Sequence, residues 1–406
     1  MRARGIAALG AVCAIAVGVS ACGGSSGTAT GSGSSTIKIG VMTSLGGSAS
    51  SSFAASVSGV NARLAAYKAN GGKCADKTFD VIKADDQSSP QGALAATQKL
   101  IQQDKVYAMI EVSSFFFGAS QFATTAGKGT PIIGGAFDAA KQWNSTDNNL
   151  LPSAPVSDFT KTYSTTGSYL KSVGGSTVAA VSYESPSAQA ALEGALKSTD
   201  AAGLKRGYVN TSVPFGSTDV GAIVLGIIRS KADTLELFIT PDTSFAIVAG
   251  LRQAGYTMKA IVSATGYGAD LLDSAPAVQA GQGVVFSIGY APSELKNAGT
   301  DAMTAAFKKY AGSKSGIPGF SQANAWLSTD LFLHGLDAAG CDASQAKFLS
   351  TTRADKTWTA DGLYATPRDF TVSPSAEQCL YFVRLKGQDF VPEPNAVPLC
   401  GGPIGG

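Results

Sequence analysis

The sequence predicts an α/β protein made of two doubly wound parallel-sheet lobes. Three observations carry this prediction. The chain has 406 residues, enough for two domains, and is 44% hydrophobic with only 15% charged residues, so it can build a sizeable core. Short β-rich runs alternate with stretches of helical periodicity, which implies parallel strands covered on both faces. That alternation stops near Leu151-Pro152 and then starts again, which implies a second lobe.

In order, Ile37 to Met42 reads as a buried strand, and Phe53, Val57, Val60, Leu64 and Tyr67 recur at helical spacing until Gly71-Gly72 ends the helix. A strand over Thr78 to Ala84 leads to a helix capped by Ser89 with Pro90 in its first turn. A strand over Val106 to Val112, a helix over Ala119 to Lys128 and the short run Ile132-Ile133 complete the first half. The second half reads as a helix over Val156 to Val173, a strand over Thr177 to Tyr183, a helix over Ala188 to Ala202 and a strand beginning at Tyr208. Helices over Val220 to Lys231 and Ser244 to Ala254 then alternate with strands over Thr234 to Ile239, Lys259 to Ser263 and Gly283 to Ser287. Helices near Asp301 to Tyr310, Gln322 to Ala339 and Ala343 to Thr351 follow, and a hairpin over Leu380 to Val391 turns near Lys386-Gly387.

The first 21 residues have a basic start at Arg2 and Arg4 and an apolar run from Ile6 to Val19, the pattern of a secretory leader and too short to span a bilayer. Val19-Ser20-Ala21-Cys22 resembles the lipobox of bacterial lipoproteins, which implies that Cys22 is lipidated and holds the protein to the outside of the membrane. An ordinary cleavage site with an incidental cysteine is the alternative. Residues 22–36 then form a Gly/Ser-rich tether with a mean reach of roughly 20 Å.

Removing Arg2 and Arg4 takes 31 basic residues to 29 against 29 acidic ones, so the exported chain is neutral and lacks the basic footprint of nucleic-acid binding. The single histidine, His334, lies in an apolar helical run, and the spacings of a P-loop, a nucleophile elbow and a zinc site are missing. Asp85-Asp86 could do acid/base work, but adjacent residues on an extended segment face opposite ways, which favours capping and loop hydrogen bonds. No enzyme activity, cofactor or metal is expected.

Export favours disulfides, and with Cys13 in the leader four cysteines remain besides Cys22. Three connectivities are possible. Cys379 opens the hairpin and Cys400 follows its return strand, so 379–400 is the local pairing and Cys74–Cys341 is left by elimination.

Ile37 to Val41, Asn70-Gly71-Gly72, Asp85-Asp86 with Pro90, Pro131-Ile132-Ile133 and Leu251 to Gly255 together resemble the branched-chain amino-acid type of the type I solute-binding proteins of ABC importers. The resemblance runs from about Ile37 to Phe390. It implies two lobes joined by a three-crossover hinge with a ligand cleft between them. Residues 37–152 and 280–358 would form lobe one, and residues 153–279 and 359–406 lobe two. It also places Cys74 with Cys341 in lobe one and Cys379 with Cys400 in lobe two, so neither bridge opposes hinge motion. The implied protein is a monomer that captures a small-molecule ligand by lobe closure and delivers it to an ABC permease with its ATPase. A ligand sensor that signals to a membrane receptor and an exported hydrolase are the other readings.

In open α/β sheets ligands gather at the carboxyl ends of strands. The candidate binding residues in those loops are Ser44, Ser113, Ser114, Phe115, Phe116, Ala136, Phe137, Asp138, Tyr183, Ser185, Thr240, Asp242, Thr265 and Tyr267. Amino-acid-binding relatives are expected to hold the α-carboxylate with hydroxyl residues and the ammonium with an acid, where this chain has Phe115, Asp138 and Thr265. A partly apolar or aromatic solute is therefore expected instead of an ordinary amino acid. Phe115-Phe116-Phe117 cannot all point one way, so at least one is expected at the cleft unless all three are packing. Asp138 is either a cap for the following turn or a ligand acceptor.

Overall fold

The computed structural model describes residues 36–154, 161–372 and 378–405. The leader, Cys22, nearly all of the tether and the first residues of the helix expected from Val156 lie outside them. The strands are β1 (Thr36–Thr43), β2 (Thr78–Asp85), β3 (Ala108–Val112), β4 (Ile132–Gly134), β5 (Leu150–Pro152), β6 (Thr177–Tyr183), β7 (Lys205–Val213), β8 (Thr234–Phe238), β9 (Ala260–Ser263), β10 (Val285–Ile288), β11 (Gln378–Lys386), β12 (Asp389–Pro392) and β13 (Leu399–Gly401). The helices of the first lobe are α1 (Ser50–Phe53), α2 (Ser56–Ala69), α3 (Pro90–Gln98) and α4 (Ser120–Thr124). Next come α5 (Thr165–Ser172), α6 (Pro186–Ala201), α7 (Gly221–Ser230), α8 (Pro241–Gln253), α9 (Ala269–Leu272) and α10 (Ala275–Gly281). The last three are α11 (Ala298–Tyr310), α12 (Phe320–Ala339) and α13 (Gln345–Arg353).

Two sheets result. The first has strand order β2-β1-β3-β4-β5, all parallel. The second has five parallel strands in the order β7-β6-β8-β9-β10, continued by β11 antiparallel to β10, with β12 and β13 both antiparallel to β11. β3 and β6 are buried along almost their whole length, as strands covered on both faces must be. The helix starts follow local chemistry: Ser89 accepts the Gly92 N–H at 3.0 Å with Pro90 at the first position, and Ser185 with Pro186 repeats the device on α6. On α7, Ile223, Val224 and Ile227 form the buried stripe that fixes it to the sheet, each worth about 1.5–3 kcal/mol.

The crossovers differ in place from the expectation. The boundary at 280 put the strand near 283–287 in lobe one, but β10 hydrogen-bonds to β9 and β11, so the chain leaves the second lobe only after Ile288. The segment after 358 also stays with the first lobe: Trp358 Nε1 donates to Asp330 Oδ2 on α12 at 2.8 Å, and Tyr364 Oη donates to the Ser153 carbonyl at 2.7 Å. From Gln378 the chain is again in the second sheet, as β11 paired with β10 and β13. The helix expected over 119–128 shortens to α4 because Gly127 closes a turn back onto the Phe122 carbonyl. Cys74 bonds Cys341 beyond the ends of the paired helices α2 and α12, and Cys379 bonds Cys400 at facing positions of β11 and β13.

Candidate ligand-binding site

Parallel strands end on one side of a sheet, so the loops after β1, β3 and β4 face those after β6, β8 and β9 across a cleft. The lobes touch there through Phe115, whose ring lies 5.6 Å from that of Phe215 in the loop after β7. One chamber of about 240 Å³ lies between Ser114, Phe137 and Phe320 on one side and Tyr183, Ser185 and Thr240 on the other. A second, of about 190 Å³, is bounded by Phe137, Thr265, Tyr267, Phe286, Tyr290 and Phe320. Neither is lined by an Asp, Glu, Lys or Arg among the described residues.

The wall is an aromatic cluster. Phe137 lies 5.5 Å from Phe320 and 6.0 Å from Phe53, ring centre to ring centre. Tyr183 stacks on Phe215 at 4.0 Å and 19°. Its hydroxyl accepts the Thr240 N–H, which pins the ring across the start of α8, and burial pushes that phenol up to about 12. Thr265 Oγ1 donates to the Ile239 carbonyl at 2.6 Å, while Tyr267 Oη donates to Glu294 Oε2 at 2.8 Å and accepts the Ser293 N–H at 2.9 Å. Tyr267 therefore presents ring surface with its hydroxyl already engaged. Pro-started helices α6 and α8 both open onto the first chamber, directing the partial positive charge of their amino ends into it.

Several expected residues lie elsewhere. Asp138 is fully buried beneath the cleft, where it accepts from Trp143 Nε1 at 2.6 Å and from the Ala140 N–H of the following turn, and it lies outside the lining of both chambers. Buried Glu111 stands close enough to couple with it: burial holds both carboxyls above their usual range, Asp138 at about 7, and the Asp138 charge raises Glu111 further. Ser113 donates to Asp86 and accepts the Phe115 N–H at 2.9 Å, and Ser44 is buried beside the same Asp86, so neither reaches the cleft. Phe116 is wholly interior against Trp143, Ala136 is a buried turn residue at φ +57°, and Asp242 is exposed on α8 away from the chambers. Asp85 and Asp86 do face apart, each binding loop N–H groups. His334 meets Asp355 on the flank of α12, far from any chamber lining.

Reasoning from sequence missed Phe53, Phe215 and Phe320. Phe53 reads as the first apolar position of a helix, whereas Pro214-Phe215-Gly216 sets an aromatic in a turn and Pro318-Gly319 sets Phe320 at a helix start, which is the available signal. Among the described residues no helix is long and apolar enough to cross a membrane, and no cluster of His, Cys, Asp and Glu could hold a metal ion.

The periplasmic binding protein family profile matches residues 36–389, which takes in both lobes and the cleft. The chain belongs to that family. This periplasmic binding protein resembles, in fold, a solute-binding protein of an ABC transporter from R. palustris in complex with benzoate, at 18% identity and a TM-score of 0.72, over 91% of this chain and 97% of that one. A fatty acid ABC transporter substrate-binding protein from Thermomonospora curvata gives 17%, 0.71, 90% and 92%, respectively. A leucine-binding protein from Thermotoga maritima gives 15%, 0.68, 88% and 97%. None of the curated protein sequences matches the chain. The resemblance drawn from the sequence motifs thus holds for family and fold, including leucine-binding proteins among the structural neighbours.

Proposed function

We propose that this periplasmic binding protein captures a small, largely apolar or aromatic solute carrying a single acid group and hands it to an ABC permease outside the cytoplasmic membrane. The observation that carries the reading is the pair of aromatic-walled chambers with no charged lining side chain among the described residues. A zwitterion would leave its ammonium without a counter-charge there, and an unpaired buried charge costs several kcal/mol. A lone carboxylate is better served, because the amino ends of α6 and α8 and the hydroxyls of Ser185 and Thr240 border the first chamber. The benzoate and 4-hydroxybenzoate complexes of two R. palustris structural neighbours agree with this chemistry.

Calorimetry with benzoate and with leucine tests it. Benzoate is expected to bind and leucine not to, and Phe320→Ala to weaken benzoate by about ten- to a hundredfold through lost ring burial. Tight leucine binding that survives Phe320→Ala would reject the reading.

The lipid anchor is part of the same proposal. Cys22→Ser is expected to move the protein from the membrane to the soluble fraction, since it removes the thiol that would carry the acyl chains. Fractionation that does not change would remove the anchor.

A further inference from the structure

Beyond the two chambers a third space opens beneath α6, between that helix and the second sheet. It has a volume of about 260 Å³ and is bordered by Thr166, Ala191, Gly194, Ala195, Glu236 and Phe238. Phe320 and Ala264 border all three spaces, so this branch adjoins the cleft. On β8 alternate side chains face one way, so Glu236 and Phe238 point to the α6 side, where the facing partners of Glu236 are Ala180 and Val262. Small residues at positions 191, 194 and 195 leave the space under α6 unfilled, and a Cβ added to Gly194 would meet nothing within 4 Å.

Glu236 is the anomaly. The residue is 3% exposed on a central strand, and its Oε1 has no hydrogen-bond partner among the described residues. Burial raises the acid to about 8, so at neutral pH it is an uncharged group that can donate a hydrogen bond. A fold that only needed packing would have an aliphatic residue here, because an unsatisfied buried polar group is destabilising. The open space in front of the acid supplies the reason for it.

We propose that this branch is a second subsite of the cleft, which takes the far end of an elongated apolar solute and fixes a hydroxyl or carbonyl oxygen at that end to the Glu236 carboxyl. The subsite rests on the solute-binding reading above, with the near end of the solute against the wall that Phe137 and Phe320 form together. It makes the preferred substrate a chain or a tailed ring with polar groups at both ends. A compact acid such as benzoate would fill the cleft alone.

The test uses benzoate, decanoate and 10-hydroxydecanoate as calorimetric probes of the full chain, its Gly194→Leu variant and its Glu236→Leu and Glu236→Gln variants. Benzoate is expected to bind all four within about twofold, because it does not enter the branch. Wild-type protein should bind 10-hydroxydecanoate about tenfold tighter than decanoate, an advantage lost in Glu236→Leu and largely kept in Glu236→Gln, whose amide still donates. Gly194→Leu should weaken both ten-carbon probes about tenfold or more by filling the branch. Unchanged ten-carbon binding in Gly194→Leu, or a hydroxyl advantage that survives Glu236→Leu, would overturn the subsite. So would benzoate binding without either longer probe, while leaving the reading of the cleft intact. Failure of all three probes to bind the wild type would overturn both. Should Gly194→Leu not fold, the comparison of hydroxylated and plain probes across the two Glu236 variants decides the matter.

Discussion

Gly59→Val is expected to lower the free energy of unfolding by about 3 kcal/mol or more, at the upper end of what overpacking costs. Gly59 lies on α2 where it crosses α12, and a Cβ there would sit 2.2 Å from the Gln322 carbonyl oxygen and 3.0 Å from the Ala325 Cβ. A backbone carbonyl in a helix cannot swing aside as a side chain can, so the two helices must separate. The damage reaches the cleft. Gln322 caps the start of α12 through its contact with the Gly319 N–H at 2.9 Å, and its Nε2 donates to Ser58 Oγ at 2.8 Å. Phe320, two residues away, borders both chambers and the branch beneath α6. Urea titration of wild type, Gly59→Ala and Gly59→Val should show midpoints falling in that order. A Val variant with the wild-type midpoint would mean that α2 and α12 adjust without cost.

Asp138→Asn is expected to stabilise the protein at pH 8 and to change little near pH 4. The sign follows from proton counting. Unfolded, Asp138 loses its proton near pH 4, whereas folded it keeps it until about pH 7 because burial disfavours the charged form. Between those values the native state binds more protons than the unfolded one, so its stability falls as pH rises through the window. At about 1.4 kcal/mol per pH unit for each proton, the loss is on the order of a few kcal/mol. Asparagine keeps the acceptor for Trp143 Nε1 and has no proton to lose, so its thermal midpoint should fall less than that of the wild type between pH 4 and pH 8. Parallel curves for the two proteins would show that Asp138 titrates normally. The same loop carries Phe137, so the charged state of this interior pair bears on how firmly the aromatic wall is held.

How much of this was legible beforehand follows from the range over which each signal acts. Strand and helix periodicity, Ser-Pro helix starts and glycine stops are read within a few residues, and repeated βα alternation leaves a parallel sheet as the arrangement that buries both faces of each strand. The two lobes, the loops that meet at the cleft and both disulfides were therefore determined by the sequence alone, given the family resemblance. Direction after a strand end was not. Left-handed backbone at Ala136 and Ala139, at φ +57° and +64°, turns Phe137 outward and Asp138 inward, and nothing in that residue order forecasts which way each faces. Of three consecutive phenylalanines, Phe115 meets the opposite lobe and Phe116 meets Trp143. The sheet to which β10 belongs and the convergence of Phe53, Phe137 and Phe320 depend on contacts between segments that are not neighbours in sequence. So does the burial of Glu236 and Glu111. Whether a carboxyl is solvated or enclosed is set by everything folded around it, and only the tertiary structure decides that.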